Sequence, residues 1–177
     1  MFIRTENLLL RPGWAEDAAE LYAAFAREDV VMTLARAPWP YALDDAVAYL
    51  GRERSSHEAD LLIYLRTDNP PRLIGGISIA EHSGVAELGY WIVPSMRNRG
   101  YATEAGRALV AAARDSLRLD RLVSVHAVEN PTSGRVLRKL GFAPTGRAEL
   151  RPFAARGEKL LCASYTLDLS PSMALAA

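Results

Sequence analysis

The chain is 177 residues long and balances 21 lysines and arginines against 21 aspartates and glutamates. Zero formal charge gives no global attraction to nucleic acid or to an anionic membrane, and the length fits one domain around one core. Apolar residues make up 50% of the chain, yet its apolar runs, such as Leu8 to Leu10 and Val110 to Ala113, are far too short to span a bilayer. Arg4, Glu6 and Arg11 interrupt any apolar segment at the N-terminus, against a signal peptide. The single Cys162 cannot form an internal disulfide, which fits a reducing, cytoplasmic setting. It lies in the apolar run Leu-Leu-Cys-Ala-Ser-Tyr and reads as a buried structural thiol rather than an acyl-carrying nucleophile.

In chain order, Asn7 to Arg11 is a short strand closed by Pro12-Gly13. Trp14 to Arg27 then places Ala18, Leu21, Tyr22 and Phe25 at helical spacing. Asp44 or Asp45 starts a second helix with Val47 and Leu50 on its apolar side. Between these helices, Ala37-Pro38-Trp39-Pro40-Tyr41 is an extended connector, suited to a rim packed on the core or to a wall of a substrate groove. Leu61 to Arg66, Arg72 to Ala80 and Val85 to Val93 read as an antiparallel meander, linked at Thr67 to Pro71 and at His82-Ser83-Gly84. A helix from Gly100 to about Leu117 leads to a strand over Arg121 to Val128. That order makes a crossover unit with parallel strands. Asn130 is a candidate N-cap for another helix, with Pro131 at its first position and Gly141 as its stop. Phe142 onward and Leu160 to Leu169 supply the last strands, and residues 170–177 have little to anchor them.

Glycine spacing excludes other phosphate loops. No two glycines stand two positions apart, so the dinucleotide fingerprint is absent, and the pairs five apart, Gly84/Gly89 and Gly141/Gly146, are followed by Tyr90 and Arg147 instead of lysine. Gly76-Ile77-Ser78-Ile79-Ala80 lacks the closing glycine of a nucleophile elbow. His57, His82 and His126 have no partner at ligand spacing, so no metal site is expected.

The informative stretch runs from Glu87 to Glu104: an apolar strand stopping at Pro94, a basic loop, and a helix start near Gly100. Backbone N–H groups at a helix start lack intrahelical partners, and the helix dipole adds partial positive charge, so an anion can be held there. Arg97-x-x-Gly100-x-Ala102 resembles the acyl-CoA signature of the GNAT family of N-acetyltransferases. A second block, Asn130-x-x-Ser133-x-x-Val136-Leu137-x-Lys139-Leu140-Gly141-Phe142, is similar to the same family. Ala-Glu-Leu-Gly-Tyr-Trp-Ile, Gly-Tyr-Ala-Thr-Glu-Ala, Lys-Leu-Gly-Phe and the segment from Trp39 to Ala46 resemble most the branch acting on ribosomal-protein N-termini (RimJ/RimL-like), so the resemblance covers most of Asn7 to Leu169. Asn98 stands where many members have Gly, and Asn is the non-glycine residue that best tolerates a left-handed backbone.

The resemblance implies an α/β fold of one domain over residues 1–169: a mixed, mostly antiparallel sheet of six to seven strands, splayed at the cofactor site and flanked by about four helices. It implies acetyl-CoA as cofactor, with pyrophosphate held by the amides of Asn98, Gly100, Tyr101, Ala102 and Thr103, helped by Arg97 and Arg99. The pantetheine arm is expected along the backbone of Trp91, Ile92 and Val93, with Asn130 and Ser133 beside the thiol. Because a protonated amine cannot attack a thioester, a base must take a proton. Glu87 is the first candidate and Glu149 the second. Ser133 either donates a hydrogen bond to the sulfur or merely caps its helix. Glu104 is expected to face outward or to pair with Arg107, and Tyr90 and Tyr101 to be packing residues.

The reaction implied is direct acetyl transfer to a primary amine, with a protein or peptide N-terminus favoured. The alternatives are a small amine (an amino acid, polyamine or aminoglycoside) or a non-catalytic acyl-CoA- or peptide-binding module. No nucleic-acid or membrane partner is expected, and exposed strand edges would permit a homodimer.

Overall fold

A computed structural model describes residues 1–67, 69–82 and 84–170. The tail expected to fray, 170–177, lies outside these residues apart from Ser170.

The strands are β1 (Ile3–Arg4), β2 (Leu8–Arg11), β3 (Ala59–Leu65), β4 (Arg72–His82), β5 (Val85–Ile92), β6 (Arg121–Ala127), β7 (Ala143–Phe153) and β8 (Glu158–Asp168). The helices are α1 (Ala18–Phe25), α2 (Glu28–Val31), α3 (Leu43–Leu50), α4 (Tyr101–Asp115) and α5 (Pro131–Lys139). The strands form one sheet in the order β1-β2-β3-β4-β5-β6-β8-β7. All neighbours are antiparallel except β5 and β6, which the α4 crossover makes parallel. The mixed sheet is thus as expected, with two corrections of count: two-residue β1 makes an eighth strand, and α2 makes a fifth helix. Both are too short to leave a periodic signal.

Side-chain alternation divides the core into two layers. Leu61, Ile63, Leu65, Leu88 and Ile92 pack with Ala105 and Leu109 of α4 and Leu137 of α5. Leu62, Tyr64 and Leu73 pack on the opposite face with Ala18 and Leu21 of α1, Val31 of α2 and Ala46 and Leu50 of α3. No helix of the described residues is long and apolar enough to cross a membrane.

Charged groups pin the layers at two places. Arg11 grips Asp17 with two 2.7 Å hydrogen bonds and stacks on Trp14 and Tyr64. Glu104, in the first turn of α4, accepts from Thr5 Oγ1 (2.5 Å), Asn7 N–H (2.8 Å) and Asn7 Nδ2 (3.1 Å). It neither faces outward nor pairs with Arg107. Burial pushes its pKa up, but the donors of Thr5 and Asn7 outweigh burial and hold it below the usual value. This carboxylate ties the start of α4 to the turn between β1 and β2, which fixes where the helix N-terminus points.

The connector around Trp39 splits into two roles. Tyr41 is buried against Phe25, ring centroids 4.6 Å apart, whereas Trp39 is exposed and its bond to Pro40 is cis.

Candidate active site

Along its whole length β5 pairs with β4, from His82↔Val85 to Gly75↔Ile92. Towards β6, Glu87↔Val123 is its one registered pair among the described residues, and beyond it the strands part. Val93 N–H continues the β4 ladder by donating to Ile74 C=O at 2.9 Å. The alternation of an antiparallel pair therefore turns the backbone of Trp91 and Val93 towards β4 and that of Leu88, Tyr90 and Ile92 towards the parting. Two of those carbonyls already have side-chain donors: Ser124 Oγ reaches Leu88 C=O at 2.8 Å, and Arg97 Nε reaches Ile92 C=O at 3.0 Å. The expectation that Trp91, Ile92 and Val93 all offer backbone to a ligand is corrected to Tyr90 and Ile92. Consecutive strand residues cannot present their amides to the same side.

The loop after β5 meets the physical requirements of an anion site. Asn98 and Gly100 both have left-handed backbones, φ 61° and 87°. No side chain caps α4, and its first backbone bond runs from Glu104 N–H to Gly100 C=O. The N–H groups of Tyr101, Ala102 and Thr103 thus precede the helical ladder. A Cβ built at Gly100 would enter open space over this turn. Arg99 makes no hydrogen bond or ion pair among the described residues and is exposed. Arg97 departs from expectation: besides Ile92 C=O, it donates to Asp29 C=O at 2.8 Å. Its guanidinium clamps the loop to α2 instead of standing free for an anion.

These features fit the diphosphate and amide arm of acetyl-CoA, an uncapped helix start and open strand backbone in sequence. Gly100→Val should weaken coenzyme A binding by at least about tenfold, because a β-branched residue is strained at that φ and fills the approach. Calorimetric titration of the folded variant checks this; unchanged affinity would place the diphosphate elsewhere.

The two catalytic candidates lie on opposite faces of β5. Tyr90 lies between Leu88 and Ile92 and packs with the α4–α5 core. Its hydroxyl is 2.8 Å from Ser133 Oγ and donates to Ser133 C=O at 3.3 Å. Burial raises the Tyr90 pKa against the opposing effect of Ser133, so the phenol stays protonated. Ser133 N–H donates to Asn130 Oδ1 at 3.4 Å, making Asn130 the N-cap of α5. Tyr90 is therefore more than packing, a role that parity with Leu88 and Ile92 signals once β5 is drawn as a strand.

Glu87 and Trp91 share the other face, where Trp91 meets Phe25 edge-on at 5.0 Å. Between them Gly89 is exposed, and a Cβ there would meet only Ser78 Oγ, at 3.7 Å. The missing side chain leaves a notch. Glu87 Oε2 accepts from Arg151 Nη1 at 2.7 Å, and Arg151 Nε donates to Glu149 Oε1 at 2.8 Å. Arg36 Nη2 stands 4.0 Å from Glu87 Oε1. Beside this cluster Ala154 N–H donates to Ala35 C=O at 2.9 Å, strapping the β7–β8 turn to the segment after α2. Glu149 is on β7, directed to Arg151, and is the more exposed of the two carboxylates, 58% against 20%. Cys162 is buried with Phe153 and Ala127, and burial raises its thiol pKa. Arg36 and Arg151 carried no sequence signal, because their nearness to Glu87 is made only by the folded chain.

Residues 7–143 match the family model for an acetyltransferase (GNAT) domain. The chain is 26% identical over 148 residues to the uncharacterized N-acetyltransferase YnaD of Bacillus subtilis, spanning 82% of this chain and 85% of that protein. Among solved structures, a putative ribosomal-protein-serine acetyltransferase from Vibrio cholerae aligns with a TM-score of 0.76 at 25% identity, covering 95% of this chain and 97% of that one. Spermidine N-acetyltransferase from Vibrio cholerae, in complex with CoA and spermine, aligns with a TM-score of 0.77 at 19% identity, covering 94% and 98%. The second likeness is one of fold.

Proposed function

The chain belongs to the GNAT acetyltransferase family and is an acetyl-CoA-dependent acyltransferase; we propose that the amine it acylates is the N-terminus of a protein or peptide. The observation that carries this reading is the parting of β5 from β6 after Glu87↔Val123, with a carboxylate on one face and a paired hydroxyl on the other. An amine approaching the notch at Gly89 meets Glu87, while the opposite face keeps Ser133 and Tyr90. The likeness to the putative ribosomal-protein-serine acetyltransferase of Vibrio cholerae supports a protein acceptor.

Bound acetyl-CoA supplies an acyl group activated as a thioester. The loop Asn98 to Thr103 would hold its diphosphate, with Arg99 adding charge, and Tyr90 and Ile92 would offer backbone to its amide arm. Glu87 takes the proton that the acceptor ammonium must lose, through Oε1, since Oε2 is held by Arg151. Ser133 donates towards the departing sulfur, and Tyr90 behind it fixes the hydroxyl and can resupply the proton.

Thiol release from acetyl-CoA, measured with N-terminal peptides, free amino acids, polyamines and aminoglycosides, tests the acceptor class. Peptides should give the highest kcat/KM. Turnover confined to a small amine would overturn the peptide assignment.

A further inference from the structure

The four charges on the acceptor face are incompletely matched. Arg151 satisfies Glu87 Oε2 and Glu149 Oε1 with hydrogen-bonding distances. Among the described residues Glu87 Oε1 has only Arg36 at 4.0 Å, beyond a hydrogen bond. Arg36 in turn makes no hydrogen bond among the described residues, and its side chain is 60% exposed. A guanidinium carries five donors in a rigid fork suited to carboxylate or phosphate oxygens. Here that fork stands 4.0 Å from the open oxygen of Glu87, and the exposed Gly89 lies two residues along the same face of β5. The strap from Ala154 to Ala35 ties the backbone next to Arg36 to the β7–β8 turn, which also ends the strand that carries Arg151.

We propose that Arg36 selects acceptors carrying an acidic group next to the amine, such as a peptide with Asp or Glu as its second residue. This rests on Glu87 being the group that receives the amine. The ammonium takes Glu87 Oε1, and the carboxylate of the same or the next residue takes Arg36. The short Arg36–Glu87 distance demands that the two groups of the acceptor be neighbours. A polycationic acceptor fits poorly, because with one ammonium on Glu87 its neighbouring cation would meet Arg36. No bond is made or broken by Arg36; it is a specificity-determining residue.

The test is the charge preference of purified full-length protein, read as kcat/KM from thiol release. Two matched pairs serve as acceptors: short peptides beginning Ser-Asp or Ser-Lys, and glutamate against putrescine. Wild type should prefer the acidic member by about tenfold, and the preference should shrink with added salt. Arg36→Glu should reverse it, whereas Arg36→Lys should keep it. The exposure of Arg36 makes both variants compatible with folding, which circular dichroism verifies. An acidic-to-basic ratio equal in wild type and Arg36→Glu, or no turnover of either acidic member, overturns the proposal. Failure of the peptide reading appears separately, as a preference seen only in the small-amine pair.

Discussion

Replacing Glu87 by Gln should lower kcat/KM for amine acetylation by about 10²–10⁴-fold, the usual contribution of a general base, while leaving coenzyme A affinity unchanged. Gln keeps the shape and one oxygen for Arg151 but cannot take a proton, so the loss falls on chemistry and not on packing. The side chain is only 20% exposed and its pair with Arg151 joins β5 to β7, so Glu87→Ala would confuse a lost base with a lost tether. The isosteric variant separates them. Glu149→Gln serves as the comparison, since among the described residues that carboxylate is hydrogen-bonded to Arg151 alone. A Glu87→Gln enzyme within about threefold of wild type, well short of a general base's usual contribution, would remove Glu87 from the chemistry and pass the role to Glu149 or to water.

The largest stability effect is expected at Arg11, far from the acceptor face. Its side chain is 12% exposed and that of Asp17 10% exposed. Arg11→Met leaves a buried carboxylate without its cation, which costs about 3–5 kcal/mol and should lower Tm by roughly 10 °C for a chain of this length. The hydrogen bonds from Arg11 hold the Asp17 carboxyl below its ordinary value of 3.8, with Trp14 N–H adding to the effect against burial. A carboxyl with a lowered folded pKa binds fewer protons than in the unfolded chain. Its contribution is therefore complete above the ordinary value and is lost as pH falls through the folded value. The stability gap between wild type and Asp17→Asn in urea unfolding should be full above about pH 4 and narrow steadily as the pH falls below it. A constant gap across that range would show that Asp17 acts by shape alone.

The anion loop and the helix that follows it were legible because each depends on neighbours in sequence. Glycine at residue 100, asparagine at 98 and the uncapped turn after them settle backbone conformation within a few residues. The Asn130 cap, Pro131 at the first position of α5 and Gly141 beyond its end are equally local, and they lie where the pattern put them. Alternation in β5 was legible in principle, yet the face each residue took depended on which neighbour, β4 or β6, used its backbone.

The sequence by itself therefore determined the fold class, the parallel crossover and the turn that opens α4, since these follow from short-range periodicity, turn chemistry and two spaced motifs. Tertiary structure alone decided how the charges were spent. Arg97 turned from an expected anion ligand into a clamp on Asp29, 68 residues away; Glu104 joined Asn7 across 97 residues, and Arg151 met Glu87 across 64. Such partners are chosen by whichever opposite charge the folded chain brings within a few ångströms. A long, flexible arginine or glutamate carries no mark of that choice in its own neighbourhood. The loop after β5 was written locally, but the charges around Glu87 were assembled by Arg36 and Arg151 arriving from opposite ends of the chain.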